Sequence, residues 1–217
     1  MISDHFNGFS DFDFKRLLEK GDIEITSGQH TKKQQLPIEG RTAITNVSLE
    51  SVALKKALPP IIDKSTEYLI LGTMPGEKSL VHQEYYNNPR NQFWNIISDL
   101  FKNGKPFTNY NDKLDFLKKH KIGLWDVLDT CDREGSLDSR IKNITVNNFE
   151  KLFYEYPNIK VVIFNGQDSC NYFSTYIKNK SGKKTFIQLT STSSTNTHKT
   201  LDEKTKEWQA ALRKNSR

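Results

Sequence analysis

From about residue 60 onward, the hydrophobic positions follow two patterns that alternate along the chain. Short continuous apolar runs predict four buried strands, at residues 67–72, 122–128, 159–166 and 185–193. Between or after these strands lie segments whose apolar residues recur at helical spacing. Continuous apolar strands separated by helices are typical of a mainly parallel sheet with both faces covered, so the pattern predicts an α/β fold.

Two segments have the spacing of amphipathic helices. In residues 91–101, Phe93, Ile96 and Leu100 fall on one helical face. Residues 202–214 predict a closing helix. Asn88 suits an N-cap and Pro89 suits the first helical position, so the first of these helices is expected to begin beside them.

The four predicted strands all end in small or polar residues. Their ends carry "GTMPG", "WDVLDTCDREGS", "FNG" and "STSSTN". In open parallel sheets, ligands bind beyond the carboxyl ends of the strands. The sequence therefore predicts one cleft at that edge, lined by residues from all four segments.

The first 58 residues are polar and only weakly periodic. "FDFKRLLEKGDIEI" predicts a short helix followed by a strand, and "TSGQHTKKQQLPIEGRT" is typical of a linker. We therefore expect an N-terminal extension over residues 1–58, partly ordered or linker, and an α/β domain over residues 59–217.

Composition narrows the class of protein only modestly. The 32 Lys and Arg against 26 Asp and Glu give a net charge of +6, which suits a polyanionic partner but also many ordinary enzymes. No apolar run approaches the roughly 18 residues of a membrane span. The polar start does not resemble a secretory signal. Cys131, Cys170 and five unpaired His predict no disulfide framework and no metal site. These features predict a cytoplasmic (bacterial nucleoid) or nuclear protein that is not secreted.

The first strand leads into "GEKS", which is close to a phosphate-binding loop. Such a loop needs glycine immediately before its Lys-Ser pair, because backbone N–H groups must approach the phosphates closely. Glu77 holds that place before Lys78, and its carboxylate would repel the ligand. A nucleotide-hydrolysing enzyme is therefore disfavoured.

Two asparagines lie where the cleft is predicted. Asn91 falls in a first helical turn, either as a capping residue or beside free N–H groups that favour negative charge. Asn165 ends a strand, where its amide presents a donor and an acceptor that match a nucleobase edge, although Asn-Gly is also a common turn. Tyr85 and Tyr86 either stack on a base or pack in the core.

Residues 191–200 contain seven hydroxyl side chains together with Asn196, His198 and Lys199. Hydroxyl groups and backbone amides of this kind hydrogen-bond phosphate oxygens. The alternative is a solvated loop that leads into the last helix. A lone histidine such as His198 is usually neither a ligand nor a base.

Taken together, "LGTMPGEKSL", "YYNNPRNQFW", "GLWDVLDTCDREGSLDSRIKN", "FNG" and "LTSTSSTN" resemble the motifs of the uracil-DNA glycosylase superfamily, in the family's order. The resemblance is strongest to its hypoxanthine-DNA glycosylase-like branch and covers roughly residues 66–210. It implies a three-layer α/β/α sandwich with a central four-stranded parallel sheet. It also implies an enzyme that removes a damaged base from DNA.

The resemblance assigns roles to residues in the first segments. The first motif spans Gly72 to Gly76, and Met74 stands where uracil-directed relatives have a polar residue that positions the attacking water. In the hypoxanthine-like branch an Asn in the next segment takes over, and Asn91 matches it. Tyr86 aligns with the aromatic residue that stacks on the extruded base. The glycine turn, with Gly72 and Met74, is expected to approach the flipped nucleotide.

The later segments align with the parts of the family that read the base and grip DNA. Asn165 matches the base-reading Asn. The last motif usually reads Ser-Thr-Ser-Pro-Ala-Asn, and Ser194 and Thr195 replace its Pro and Ala. The residues expected to contact DNA in this loop are Ser191, Thr192, Ser193, Ser194, Asn196 and Lys199.

The function implied is a monofunctional DNA glycosylase that hydrolyses the N-glycosidic bond of hypoxanthine, uracil or both in base-excision repair. We expect a monomer that acts on damaged DNA without a cofactor, a metal or a membrane. Met74 and the altered last motif leave one alternative, a nucleic-acid-binding protein that keeps the fold without catalysis.

Overall fold

The structure is a computed structural model that describes the backbone of residues 23–26, 29–38, 41–48, 54–177 and 183–213. Side chains are described over residues 54–177 and 183–212. The chain divides into two compact units, Met1–Val52 and Ala53–Arg217. The predicted extension over residues 1–58 stays a prediction, and the helix predicted before residue 23 lies outside the described residues.

The smaller unit contains an antiparallel sheet of three strands. These are β1 (Ile23–Thr26), β2 (Gln29–Ile38) and β3 (Arg41–Ser48), with β2 in the centre. The segment whose composition is typical of a linker therefore contains all of β2 and the start of β3. The Thr and Ile residues of this segment favour extended backbone, although its glycine and proline content suggests a linker.

The larger unit carries the remaining elements. Its strands are β4 (Leu54–Lys56), β5 (Tyr68–Gly72), β6 (Ile122–Asp126), β7 (Leu128–Asp132), β8 (Lys142–Val146), β9 (Val161–Asn165) and β10 (Thr185–Leu189). Its helices are α1 (Glu77–His82), α2 (Phe93–Lys102), α3 (Tyr110–Lys119), α4 (Phe149–Glu155), α5 (Gln167–Tyr176) and α6 (Leu201–Arg213).

Four strands form the central sheet in the order β10-β9-β5-β6, and every pair is parallel. This confirms the predicted four-stranded parallel sheet. The register places Gly72 beside Asp126, so the carboxyl ends of β5 and β6 are level. The carboxyl ends of these strands therefore lie side by side, at the place where the cleft is predicted.

Helices cover both faces of this sheet. Alternating side chains of β5 point to opposite faces, so Ile70 packs with Phe93 and Trp208 on one side. Leu69 and Leu71 pack on the other side with the phenylalanines of α4 and α5. Because both faces are buried, β5 reads as a continuous apolar run, and the architecture is the three-layer α/β/α sandwich.

The run predicted as one strand over residues 122–128 is divided between two sheets. β6 ends at Asp126, and β7 begins at Leu128 in a small antiparallel sheet of order β4-β7-β8. The backbone turns away because Val127 N–H donates to the carbonyl of Gly72 at 2.9 Å. Buried Asn147 stabilises the turn, since its Nδ2 donates to the carbonyls of Asp126 and Leu128 at 2.9 and 3.1 Å.

The helix predicted beside Asn88 and Pro89 begins later, so that N-cap prediction is wrong. Asn88 instead organises a turn: its carbonyl accepts from Asn91 N–H at 2.8 Å and its Oδ1 accepts from Arg90 N–H at 3.0 Å. These short-range bonds compete with helix formation, and α2 begins only at Phe93. Asn91 consequently lies just before the helix.

Within the described residues, every helix is too short or too polar to cross a membrane.

Replacing Asn147 with Ala should lower the free energy of unfolding by about 1–3 kcal/mol, because two buried carbonyl groups lose their donor. Urea unfolding at pH 7 measures the loss. The matched control is Asn158→Ala, since exposed Asn158 donates to the carbonyl of Lys64 where water can replace it. An equal loss in the two variants would contradict the role assigned to Asn147.

Candidate active site

A cavity of about 550 Å³ opens at the carboxyl edge of the central sheet. The last residues of three strands line it, namely Gly72 of β5, Asp126 of β6 and Asn165 of β9. Ser191 joins them from the loop after β10. The residues at the ends of the four predicted strands therefore line one cavity, as the sequence predicts.

Most of the residues singled out from the sequence lie on this cavity. Those that line it are Gly72, Met74, Tyr86, Asn91, Asn165, Ser191, Ser193 and Asn196. Thr192, Ser194 and Lys199 are not among its lining residues. The structure thus brings together residues that are separated by more than 120 positions in the chain.

Gly72 is required by a close approach across the sheet. A Cβ atom added to it would lie 2.5 Å from Oδ1 of Asp126 and 3.7 Å from the hydroxyl of Tyr86. Any other residue would displace the carboxyl group from the cavity floor. The first glycine of the motif is therefore explained by the space that Asp126 needs.

The side chain of Met74 is buried in the apolar cluster under the sheet, at 6% exposure. It leaves the first loop without a polar side chain at that position. The loop itself is held by Arg133, whose guanidinium donates to the carbonyls of Met74 and Pro75 and pairs with Asp138 at 3.3 Å. Sequence reasoning missed Arg133, although "CDREGS" contains it.

Buried Thr192 joins the two candidate asparagines. Its N–H donates to Oδ1 of Asn165 at 2.9 Å, and its Oγ1 accepts from Nδ2 of Asn165 at 2.9 Å. The same hydroxyl donates to Oδ1 of Asn91 at 2.8 Å. We call this chain of contacts the amide bridge. The predicted DNA contact of Thr192 does not fit its complete burial.

The amide bridge fixes which atom of Asn91 faces the cavity. Phe93 N–H donates to Oδ1 of Asn91 at 2.9 Å, and a backbone N–H can only donate. With Thr192 as a second donor, both lone pairs of Oδ1 are used. Asn91 therefore bonds the first N–H of α2 and leaves its Nδ2 for a group in the cavity.

Tyr86 lies over the end of β9 in a strained backbone conformation, with φ of +56°. Its ring stacks on Phe93 with centroids 4.0 Å apart. Burial raises the pKa of Tyr86, the nearby charge of Asp126 raises it further, and hydrogen bonding with Asn165 opposes both. The amide of Asn165 is therefore held by Tyr86 as well as Thr192.

Asp126 is the cavity residue that sequence reasoning missed. Its side chain is 4% exposed, and its Oδ2 has no hydrogen-bond partner within the part of the chain that the structure describes. Burial raises the pKa of Asp126 to about 8, and the charge of Asp138 acts in the same direction, whereas Arg133 and Tyr85 oppose the rise. Asp126 is the last residue of an apolar strand, and the same kind of position led to the prediction for Asn165.

The loop after β10 is fastened to the start of α2. Nζ of buried Lys204 donates to the carbonyl of Asn196 at 2.8 Å and to Oε1 of Gln92 at 2.9 Å. Gln92 N–H donates to the carbonyl of Thr192 at 2.9 Å. Desolvation lowers the pKa of Lys204. The loop is thus held in place without the proline that the family motif usually has.

Lys199, predicted to contact DNA, forms an ion pair with Glu207 of α6. A phosphate contact by Lys199 would therefore compete with this carboxylate. Ser194 is exposed beside the cavity. Over the described ranges, no group of three His, Cys, Asp or Glu side chains is arranged to hold a metal ion.

Comparison with known families gives one match that covers most of the larger unit. Residues 59–214 match the family model of the uracil DNA glycosylase superfamily. The matched range includes β5 to β10 and all of α6, so it contains every residue that lines the cavity.

Individual relatives agree with the family match. The chain is 42% identical over 118 residues to the hypoxanthine DNA glycosylase of Methanosarcina barkeri, covering 54% of this chain and 75% of that protein. It is 38% identical over 119 residues to the protein of the same name in Methanosarcina acetivorans, covering 55% and 75%.

A solved structure shares the fold. The solution NMR structure of a candidate uracil DNA glycosylase from Methanosarcina acetivorans superposes with a TM-score of 0.64 at 33% identity. The alignment covers 75% of this chain and 98% of that one.

Gly72→Ala should lower the free energy of unfolding by about 1–3 kcal/mol, because the new methyl group overlaps the carboxyl of Asp126. Gly76→Ala is the matched control in the same loop, since a Cβ there meets Ser136 Oγ only at 3.4 Å. Denaturant unfolding of both variants provides the comparison.

A double variant tests the assigned contact. In an Asp126→Ala background, Gly72→Ala should cost less than it does in the wild type, because the overlapping atom is gone. Additive losses would show that Gly72 is needed for a reason other than Asp126.

Proposed function

The chain belongs to the uracil DNA glycosylase superfamily and is a DNA glycosylase, and we propose that it removes deaminated bases, hypoxanthine above all, from DNA in base-excision repair. The observation that carries the proposal is the pair of carboxamides, Asn91 and Asn165, held on one cavity by Thr192. Two relatives named hypoxanthine DNA glycosylase support the choice of base.

The substrate must leave the duplex to reach the cavity. Base stacking hides the glycosidic bond, so glycosylases extrude the target nucleotide into a pocket. The volume of about 550 Å³ lies within the usual range of ligand sites, roughly 300–1,000 Å³. The cavity is therefore large enough for the flipped nucleotide that the proposed reaction requires.

Asn165 is proposed to read the base. Hypoxanthine presents a carbonyl beside a ring N–H, and a carboxamide offers the complementary donor and acceptor. Oδ1 of Asn165 uses one lone pair on Thr192 N–H and keeps the other for the base. The Nδ2–H of Asn165 that now bonds the Tyr86 hydroxyl would donate to the base instead, once the base takes the place of that hydroxyl.

Tyr86 is proposed to stack on the extruded base. Its ring is already fixed on one side by Phe93. An aromatic ring held in this way presents its edge and remaining face to the cavity with little further ordering cost. When the base enters, the Tyr86 hydroxyl gives up its hydrogen bond with Asn165 and bonds another group.

Asn91 is proposed to hold the attacking water through Nδ2. Cleavage develops positive charge on the sugar, which needs only a weak nucleophile. Oδ1 of Asn91 already accepts two hydrogen bonds, so this residue orients water without taking its proton. The roles of Ser191, Ser193 and Asn196 in holding the phosphates are proposed from their place at the cavity mouth.

The direct test is a panel of oligonucleotides that carry hypoxanthine, uracil or xanthine, opposite each partner base and in single strands. The proposal expects abasic sites chiefly at hypoxanthine, with strand cutting only after alkali, because no lysine nucleophile takes part. Preference for uracil would revise the substrate. Binding to all oligonucleotides without abasic sites would instead favour a protein that keeps the fold without catalysis.

Asn91→Ala should slow single-turnover base release by roughly 10²-fold, as expected for the loss of one well-placed polar group. DNA affinity should change little. Asn158→Ala, at the amino-end edge of the sheet, is the control for general effects of removing an asparagine. A wild-type rate in Asn91→Ala would remove this residue from the chemistry.

Thr192→Val keeps the shape of the side chain but removes the hydroxyl that joins the two amides. We expect base release to slow by about 10-fold or more and the preference among bases to weaken, because Asn165 loses the partner that fixes its orientation. Thr192→Ser keeps the hydroxyl and should restore both properties. Equal losses in the Val and Ser variants would assign Thr192 to packing alone.

A further inference from the structure

Asp126 lines the cavity with a carboxyl group whose bonding is incomplete within the described residues. It ends β6 on the cavity floor, level with Gly72, and Oδ2 is buried without a hydrogen-bond partner within the described residues. Buried polar groups in native structures are almost always bonded, so an exception in a residue that lines a cavity calls for a partner that enters with the substrate. In a glycosylase that partner is the base.

Arg133 offsets the burial of Asp126 only in part. Its charge lowers the pKa of Asp126, but its guanidinium donates to the carbonyls of the first loop and pairs with Asp138. Asp138 adds a like charge. Tyr85 and Tyr86 face the carboxyl group with hydroxyls whose own pKa values are raised by burial and by the charge of Asp126.

A buried carboxylate with one oxygen unbonded is costly, whereas the protonated acid carries no charge and can donate a hydrogen bond. The pKa of Asp126, raised to about 8 by burial and by Asp138, agrees with this geometry. At neutral pH the floor of the cavity therefore presents a neutral carboxylic acid.

We propose that Asp126 is a further catalytic residue, a general acid that donates its proton to a ring nitrogen of the departing purine. This inference rests on the proposed removal of hypoxanthine. A purine has ring nitrogens other than the one bonded to the sugar, and these accept a proton more readily than the carbonyl oxygens of a pyrimidine. Asp126 thereby favours the purine as leaving group.

The step balances without another reactant. The bond between C1′ and N9 breaks, and its electron pair leaves with the base. The proton of Asp126 adds to the base, which departs neutral, while the oxygen of the water held by Asn91 bonds to C1′. The proton that this water releases returns to the carboxylate of Asp126 through solvent, so that one water is consumed.

The fold gives this proposal a signature that a structural aspartate would lack. The pKa of Asp126 is raised above the value of about 3.9 in an unfolded chain. Its stabilising contribution is therefore full below about pH 4 and is lost as pH rises towards 8. At pH 8 the residue destabilises the fold, and Asp126→Asn should melt at a higher temperature than the wild type.

The experiment measures single-turnover release of hypoxanthine from duplex DNA between pH 5 and 10, together with melting temperatures. The wild-type rate constant should be level near pH 6–7 and fall about tenfold per pH unit above pH 8, the pKa of Asp126. Asp126→Asn should be slower by roughly 10²-fold at pH 7, lack this fall, and melt higher at pH 8.

Asp138→Asn is the matched control. It keeps the acid but removes the like charge that raises the pKa of Asp126, so the fall in rate should move to lower pH. This shift identifies Asp126 as the titrating group, because the N1–H of the free substrate is unaffected by either variant.

Three outcomes overturn the inference. A fall that persists unchanged in Asp126→Asn belongs to the base. Loss of rate together with a lower melting temperature makes Asp126 structural. A rate that rises through pH 8 shows that the carboxylate is the active form. A wild type that releases no hypoxanthine at any pH, while it releases another base, shows instead that the proposed substrate is wrong.

Discussion

The hydroxyl group of Thr192 holds together three parts of the chain that are far apart in sequence. It accepts from Asn165 at the end of β9 and donates to Asn91 before α2, while the backbone of Thr192 itself belongs to the loop after β10. The backbone N–H groups of Phe93 and Thr192 can only donate, so they fix Oδ1 of Asn91 and Oδ1 of Asn165 as acceptors. The Thr192 hydroxyl then joins the two oriented amides, because it accepts from one and donates to the other.

This arrangement requires a rigid sheet edge. Because β5, β6 and β9 are parallel and in register, their last residues reach the same level without any adjustment of the loops. Packing of helices on both faces keeps the strands from sliding, since a slip would move buried side chains out of the places they fill in the core. The close approach of Gly72 and Asp126 leaves no room at these strand ends for even one added methyl group.

Hydrophobic patterning was sufficient for the sheet and for the position of the cavity, because buried parallel strands have a strong local signal. It did not separate β6 from β7, since that division depends on Asn147 and on hydrogen bonds to the loop after β5. The hydroxyl-rich loop and the family's last motif assigned Thr192 to DNA, because a Ser/Thr-rich run looks exposed until the tertiary fold buries one member. Asp126 had the same strand-end position as Asn165, but a single aspartate after an apolar run does not reveal that it lacks a partner.

In the proposed mechanism, the amide bridge and Asp126 have separate parts in the hydrolysis. Because Thr192 and Phe93 occupy Oδ1 of Asn91, that side chain would hold the water without a free lone pair to receive its proton. A carboxyl group that has given its proton to the base would become a buried carboxylate, and its pKa of about 8 favours return to the acid at neutral pH. Under this proposal, the burial that keeps Asp126 neutral before the reaction also restores it afterwards. A cavity built from neutral amides and a neutral acid also avoids a permanent anion beside the departing base, whose negative charge develops at that point.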